Sequence, residues 1–242
     1  MTADQTTELS RLHVLVPVRG LTDGKARLGF ALDAEERETL VVGLLINTLD
    51  VLAAWPDCEQ AHVVSAEPGI LELALHRGAG AVADAAESNL NAALIRARDA
   101  AVAAGATAVL CLPSDLPFLS TGALQRLLDA ADAALAAGNG RPLVVIAPAD
   151  ARDGTNALLL APPHVIEPRF GEQSLAAHVH AAGTADASLQ LVVDTDLGFD
   201  LDTPDDLERI DTARLVELLE LGAAHVSDAE PLSAEPLSAE AR

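Results

Sequence analysis

The chain has 242 residues, of which half are apolar, and its formal net charge is -22. That size suits one domain with a tail, and so acidic a surface argues against nucleic acid as a partner because it repels phosphate. No apolar run of eighteen residues occurs and the N-terminus lacks a signal-peptide pattern, so we predict no membrane segment and a cytoplasmic location.

Apolar runs and helical periodicities alternate along the chain. Strands are predicted at 12–18, 61–67, 79–84, 107–113, 142–149, 155–162 and 189–195, and helices at 33–54, 68–76, 88–104, 120–137, 172–181 and 203–221. This alternation indicates an α/β fold, with a mostly parallel twisted sheet and helices on both faces. The domain should cover 1–225, with a disordered acidic tail at 226–242 that contains the tandem AEPLS. Cys58 and Cys111 fit no metal-type spacing and should be reduced, mostly buried thiols.

The stretch LGFDLDTPDDLERI, residues 197–210, crowds five acids together. Thr203, followed by Pro204 and then Asp206, is typical of a helix start with a capping box, which accounts for the acids after Thr203. Asp200 and Asp202 come before that start and flank Leu201. In an extended segment their carboxylates would face the same side, which favours a cation such as Mg²⁺ or Mn²⁺ between them. The alternative is that Asp202 caps the helix and Asp200 is merely exposed.

Asp115, in LPSDLPFL at 112–119, directly follows a predicted buried strand. In sheets of this kind, ligands bind beyond the carboxyl ends of the strands. An aspartate there is often only a turn residue. If the sheet brings it beside residues 200–202, three carboxylates could hold a metal ion on a nucleotide.

The loop PVRGLTDGKARL at 17–28 is the basic counterpart, with Arg19, Lys25 and Arg27 beside Gly20 and Gly24. Lys25 is the only lysine of the chain. Three cations and two glycines in so acidic a protein favour phosphate binding. The loop matches neither a Walker motif nor G-x-G-x-x-G, and the alternative is an ordinary strand-to-helix connection.

Two further segments carry groups suited to a second anion. Thr155 begins a predicted strand in RDGTNALLL, and Gly171 and Ser174 lie near a helix start in EPRFGEQSLAAH. Each could also be only a turn or a cap. Asn89 and Asn91 suit either a helix cap or a contact with a base, with Asn91 favoured for the ligand. His178 and His180 are expected on a helix surface rather than at a ligand.

These motifs occur in the order and combination found in a known family. From VPVRGLTDGKARL through LNAAL, LPSDLP, DGTNALLL and RFGEQSLAAH to GFDLDTPDDL, the chain resembles the phosphoenolpyruvate/2-phospho-L-lactate guanylyltransferases of coenzyme F-420 biosynthesis, over about 12–212. The resemblance implies a Rossmann-like nucleotidyltransferase fold. The family often has lysine where this chain has Arg19, which keeps the charge but changes the geometry.

The same resemblance implies roles for individual residues. Asp115, Asp200 and Asp202 would hold Mg²⁺, or Mn²⁺, and the Lys25 loop would bind the phosphates of GTP. Thr155, Gly171 and Ser174 would contact the acceptor. The implied reaction joins GTP to phosphoenolpyruvate, giving enolpyruvoyl-2-diphospho-5'-guanosine and pyrophosphate. The alternatives are 2-phospho-L-lactate as acceptor, a metal-dependent sugar-nucleotide glycosyltransferase, or a non-catalytic nucleotide-binding regulator; a homodimer is possible.

Overall fold

A computed structural model describes residues 9–19, 25–85, 88–138, 140–150 and 153–228. Gly20 and Gly24 of the basic loop, and the predicted tail from 229 onward, lie outside the described residues. No helix in the described part of the chain is both long and apolar enough to cross a bilayer.

Seven strands form one sheet. They are β1 (Leu12–Pro17), β2 (Gln60–Ser65), β3 (Gly80–Ala83), β4 (Ala108–Cys111), β5 (Leu143–Pro148), β6 (Thr155–Ala161) and β7 (Ser188–Leu191). Their order is β3-β2-β1-β4-β6-β5-β7. Six strands run in the same direction, and β6 is antiparallel to both of its neighbours. The predicted mostly parallel sheet is therefore confirmed.

Eight helices connect and cover the described strands. They are α1 (Ala34–Ala54), α2 (Pro68–His76), α3 (Leu90–Ala103), α4 (Thr121–Ala137), α5 (Ser174–Thr184), α6 (Thr195–Gly198), α7 (Pro204–Arg209) and α8 (Thr212–Asp228). A short 3-10 helix spans Ala26–Phe30. The caps predicted at Asn89 and Thr203 are present: the Asn89 side chain caps α3, and that of Thr203 caps α7 in a capping box with Asp206. The Ser120 side chain caps α4.

The core has one layer on each face of the sheet. Alternation along β1 places Val14 and Val16 on one face, with apolar residues of α1, α2 and α4. It places Leu15 on the other face, with residues of α3 and α5. Helices therefore cover both faces, as predicted. Cys111 is buried and Cys58 partly buried, and both are free thiols.

Most predicted elements differ from the structure by a few residues at their ends, and two differ in a way that has a clear physical cause. The strand predicted at 189–195 ends at Leu191, because Asp194 caps α6 and accepts from the amides of Asp196 and Leu197. The helix predicted at 203–221 is two helices, α7 and α8, separated at Ile210, which has an extended backbone. The second of them continues to Asp228, so residues 226–228 of the predicted tail belong to a helix.

Two glycines allow α1 and α8 to approach each other closely. A Cβ on Gly43 would lie 1.9 Å from the Leu218 carbonyl oxygen, and one on Gly222 would lie 2.0 Å from that of Thr39. Real atoms do not approach that closely, so a methyl group at either position would force the helices apart. The backbone packing of α8 on α1 therefore requires glycine at these positions.

We expect Gly43→Ala to lower the free energy of unfolding by about 1–3 kcal/mol through overpacking. In a chain of this size that corresponds to a loss of roughly 2–4 °C in Tm for each kcal/mol. The matched control is Gly69→Ala in α2, where an added Cβ meets nothing within 4 Å. Thermal melts would contradict this account of the packing if the two variants had the same Tm.

Candidate active site

The site lies at the edge of the sheet where the parallel strands end. Three charged side chains meet there, and each belongs to a different connection that follows a strand or a helix: Lys25, Asp115 and Asp202. The Lys25 Nζ donates to Asp115 Oδ2 at 2.9 Å and to Asp202 Oδ1 at 2.6 Å. The structure thus joins the basic loop to two of the three predicted acidic residues.

Burial and charge act on Lys25 in opposite directions. Its side chain is only 9% exposed. Burial disfavours the ammonium ion, but the charges and hydrogen bonds of Asp115 and Asp202 outweigh that effect, so the pKa of Lys25 is raised. The lysine is therefore held as a cation between two carboxylates.

The backbone fixes the two acidic segments to each other. The Leu201 N–H donates to the Asp115 carbonyl at 3.0 Å, and the Leu201 side chain is fully buried. Asp206 is buried as well, and its Oδ2 accepts from the amides of Asp202 and Thr203 at 3.1 and 2.8 Å. Besides its predicted capping role, Asp206 therefore orients the backbone of Asp202. Sequence reasoning missed this second function.

Asp200 is partly buried on the other side of Leu201. In the part of the chain that the structure describes, no three histidine, cysteine or acidic side chains form a ready metal site. Asp115 and Asp202 share the Lys25 ammonium instead. Metal binding by Asp115, Asp200 and Asp202 stays a prediction.

The site opens into a cleft with a volume of about 550 Å³. Its charged lining residues, among those described, are Arg19, Lys25, Glu67, Asp84, Asp115 and Asp202. Asp84 is paired with Arg96. Arg19 is exposed at the cleft, as a phosphate-binding role requires, whereas Arg27 is exposed on the short 3-10 helix and is not among the described lining residues.

Thr155 lies at the same edge because β6 runs against β4. Val109 pairs with Leu160 and Cys111 pairs with Leu158, so the end of β4 lies beside the beginning of β6. The start of β6 at Thr155 is therefore beside the residues that follow Cys111, which include Asp115. The next residue, Asn156, is buried, and its amide donates to the carbonyls of Leu197 and Gly198 at 3.0 and 2.9 Å. Sequence reasoning assigned no role to Asn156, although it belongs to the motif DGTN.

The turn before α5 carries the other residues predicted to contact an acceptor. Gly171 has a φ of +127°, a conformation that favours glycine, and Ser174 is buried at the first position of the helix. Asn91 holds this turn from α3. Its Oδ1 accepts from the Phe170 amide at 2.7 Å, and its Nδ2 donates to the Phe170 carbonyl at 3.0 Å. The predicted contact of Asn91 with a ligand stays a prediction.

The prediction for His178 is wrong, whereas His180 is exposed on the helix as predicted. His178 is fully buried, because it faces β6 rather than solvent. Its Nε2 accepts from the Arg169 amide at 2.8 Å, and its Nδ1 lies 3.0 Å from Thr155 Oγ1. Burial lowers the pKa of His178 to about 4, and Arg169 acts in the same direction.

The fold is shared with enzymes that transfer nucleotides. A nucleotidyl transferase from Methanothermobacter thermautotrophicus has a TM-score of 0.58 at 15% identity, with 85% of this chain and 98% of that protein covered. Together with the position of the cleft at the sheet edge, this defines an α/β nucleotidyltransferase fold, as predicted.

Sequence relationships specify the family. The model of the family described as "Guanylyl transferase CofC like" matches residues 12–212. A phosphoenolpyruvate guanylyltransferase from Rubrobacter xylanophilus is 37% identical over 202 residues, which are 84% of this chain and 94% of that protein. A 2-phospho-L-lactate guanylyltransferase from Methanothermobacter thermautotrophicus is 34% identical over 196 residues, 81% of this chain and 82% of that protein. The chain belongs to the guanylyl transferase CofC-like family, and the predicted family is confirmed.

The lowered pKa of His178 makes the free energy of unfolding depend on pH. Below about pH 6.5 the unfolded chain binds a proton that the folded ring does not accept until about pH 4, so stability falls as pH falls through that window. Between about pH 7.5 and about pH 5, this residue should remove about 2 kcal/mol from the wild type. That loss should be absent in His178→Gln.

Urea unfolding at the two pH values measures the effect as a difference between proteins, so other titrating groups cancel. The control is His180→Gln, at an exposed position of the same helix, which should lose as much stability as the wild type. An equal loss in His178→Gln and the wild type would mean that the buried ring is not held neutral.

Proposed function

We propose that the chain transfers the guanylyl group of GTP to phosphoenolpyruvate, producing enolpyruvoyl-2-diphospho-5'-guanosine and pyrophosphate in coenzyme F-420 biosynthesis. The observation that carries this proposal is the meeting of Lys25, Asp115 and Asp202 at the mouth of the cleft, in a chain of the guanylyl transferase family. Cationic and metal-binding groups at one end of a nucleotide-sized cleft are what nucleotidyl transfer requires.

The proposed chemistry needs no general base from the protein. An oxygen of the acceptor phosphate attacks the α-phosphorus of GTP in line, the new P–O bond forms, and the bond to pyrophosphate breaks. A phosphate monoester is already ionised near neutral pH, so no proton has to be removed. The protein's task is then to position two anions and to stabilise the charge between them.

The charges of the cleft support a divalent cation as part of this site. Among the described residues, the cationic side chains Arg19 and Lys25 line it together with the acids Glu67, Asp84, Asp115 and Asp202, of which Asp84 is paired with Arg96. Acids therefore outnumber cationic side chains in the described lining, and a triphosphate adds further negative charge. A bound cation would reverse the balance at the end of the cleft where Asp115 and Asp202 lie.

The donor set fits Mg²⁺, and Mn²⁺ as well. Carboxylate oxygens are the ligands that both ions prefer. The Oδ1 atom of Asp115 is buried and has no hydrogen-bond partner among the described residues, so it has a free lone pair at the site. We propose that Asp115 and Asp202, with Asp200 from the same segment, hold the ion. When bound, it would neutralise charge on the triphosphate.

The second anion would bind next to this end of the cleft. Thr155 lies beside the Asp115 connection, and Gly171 and Ser174 form the turn that packs near it through His178. These residues offer a hydroxyl group, a backbone amide and a helix start, which suit a phosphate or a carboxylate. We therefore assign the acceptor to this position, with 2-phospho-L-lactate as the alternative acceptor, since relatives of both names have similar identity.

The direct test is an assay of pyrophosphate release from GTP with Mg²⁺ and each acceptor in turn, with product mass determined by mass spectrometry. We expect pyrophosphate release with phosphoenolpyruvate and no release when the acceptor or Mg²⁺ is omitted. The product should contain the acceptor together with the guanosine and the α-phosphate of GTP. Release of GDP from GTP instead would indicate hydrolysis or transfer of the γ-phosphate rather than guanylyl transfer. Absence of pyrophosphate with both acceptors would overturn the proposal.

Substitutions should separate the acids of the site from the acids of the helix cap. Asp115→Asn and Asp202→Asn should each lower kcat/KM on the order of a hundredfold or more, since each removes charge from the reacting end of the cleft. The matched control is Asp205→Asn, an exposed acid in the first turn of α7. It should keep its activity and lose at most about 1 kcal/mol of stability through the helix dipole.

Circular dichroism would show whether all three variants keep the fold. Equal loss of activity at Asp205 and Asp202 would contradict the division of the acidic segment at Thr203.

A further inference from the structure

We propose that His178 is a positioning residue that presents the Thr155 hydroxyl as a hydrogen-bond donor to the anionic acceptor. The inference rests on the proposed function, because it assumes that Thr155 faces the phosphate or carboxylate of a phosphorylated three-carbon acid. It assigns a task to a buried histidine that the reaction itself does not require.

The hydrogen bonds of the ring determine which nitrogen carries the proton. The Arg169 amide can only donate, and it lies 2.8 Å from His178 Nε2. Nε2 is therefore unprotonated, and in a neutral ring the proton is on Nδ1. The short contact of 3.0 Å from Nδ1 to Thr155 Oγ1 is then a hydrogen bond donated by the histidine.

This assignment fixes the direction of the Thr155 hydroxyl. Its oxygen accepts from His178, so its own hydrogen is directed elsewhere. Among the described residues, Thr155 Oγ1 makes no other side-chain hydrogen bond. An anion at the start of β6 would accept from this hydroxyl, whereas a protonation state with Nδ1 as acceptor would turn the hydroxyl hydrogen toward the ring.

The same ring connects Thr155 to the turn that carries Gly171. The ring accepts a hydrogen bond from the Arg169 amide and packs edge-on against the Phe170 ring, with ring centroids 5.1 Å apart. Asn91 holds the Phe170 backbone at both its amide and its carbonyl. His178 therefore orients both the Thr155 hydroxyl and the turn that face the proposed acceptor. Among the described residues it has no hydrogen bond to Lys25, at the nucleotide end of the cleft.

A purely structural histidine would change the fraction of active enzyme, and so the apparent kcat, without a selective effect on one substrate. A positioning role instead predicts a selective change in binding of the acceptor. In His178→Phe, which keeps the ring volume but removes both nitrogens, KM for phosphoenolpyruvate should rise on the order of tenfold, as expected for one lost hydrogen bond. KM for GTP should stay at the wild-type value.

Two narrower variants divide the role of the ring. His178→Asn places a donor near the position of Nδ1 and should restore part of the affinity for phosphoenolpyruvate, whereas His178→Gln lacks that donor and should not.

Thr155→Val removes the hydroxyl and keeps the shape of the side chain. If His178 acts through Thr155, the double variant His178→Phe/Thr155→Val should be no worse than the poorer single variant.

Direct calorimetric binding of phosphoenolpyruvate to the wild type and to each variant separates failure of this inference from failure of the proposed function. A wild type that releases no pyrophosphate overturns the function, while a tenfold difference in phosphoenolpyruvate binding still supports the role of His178. Equal affinity in the wild type and in folded His178→Phe overturns that role. So do additive effects of the two substitutions, or equal rises in KM for GTP and for phosphoenolpyruvate. Thermal melts identify variants that fail to fold. If His178→Phe is one of them, His178→Asn and His178→Gln replace it: higher affinity for phosphoenolpyruvate in His178→Asn supports the role, and equal affinity in the two overturns it.

Discussion

The Lys25 ammonium between the carboxylates of Asp115 and Asp202 is the interaction on which the site depends. The three residues are remote in sequence, and only the sheet brings their connections to one edge. Two carboxylates so close together repel each other unless a cation lies between them, and here the only lysine of the chain supplies that charge. Removing one member would leave the others uncompensated, at a cost below the about 3–5 kcal/mol typical of a fully buried pair, because both carboxylates are partly exposed to solvent. Under the proposed function, the same two carboxylates would bind a metal ion together with the triphosphate.

The direction of β6 determines where Thr155 and Asn156 lie relative to the Asp115 connection. Had β6 run parallel to β4, its first residues would lie at the opposite edge of the sheet. Because it is antiparallel, Thr155 and Asn156 lie beside the Asp115 connection. Asn156 then holds the end of α6, from which the acidic segment continues, while Thr155 contacts His178 and through it the turn at Gly171. Buried polar side chains with satisfied hydrogen bonds therefore link the two proposed substrate positions.

Local pattern predicted the elements and singled out Lys25, Asp115 and Asp202, which the structure brings together, and it failed where partners are remote in sequence. The apolar runs, the caps and the lone lysine are local features, so strands, helix starts and the basic loop could be read directly. The break between α7 and α8 was missed because the apolar periodicity continues across it. Its signal was Asp211, whose Oδ1 accepts from the Ala213 amide. The burial of His178 could not be predicted, since both of its partners lie on other elements. The same holds for the lysine bridge, because sequence indicates charged residues at strand ends but not which of them meet.

The most direct test of the central claim is a crystal structure with a non-hydrolysable GTP analogue and Mn²⁺, with the ion located by its anomalous scattering. The account predicts an anomalous peak at coordination distance, about 2.0–2.2 Å, from carboxylate oxygens of Asp115 and Asp202, with the triphosphate beside Lys25. A manganese ion bound away from both carboxylates, or a triphosphate at the other end of the cleft, would contradict it.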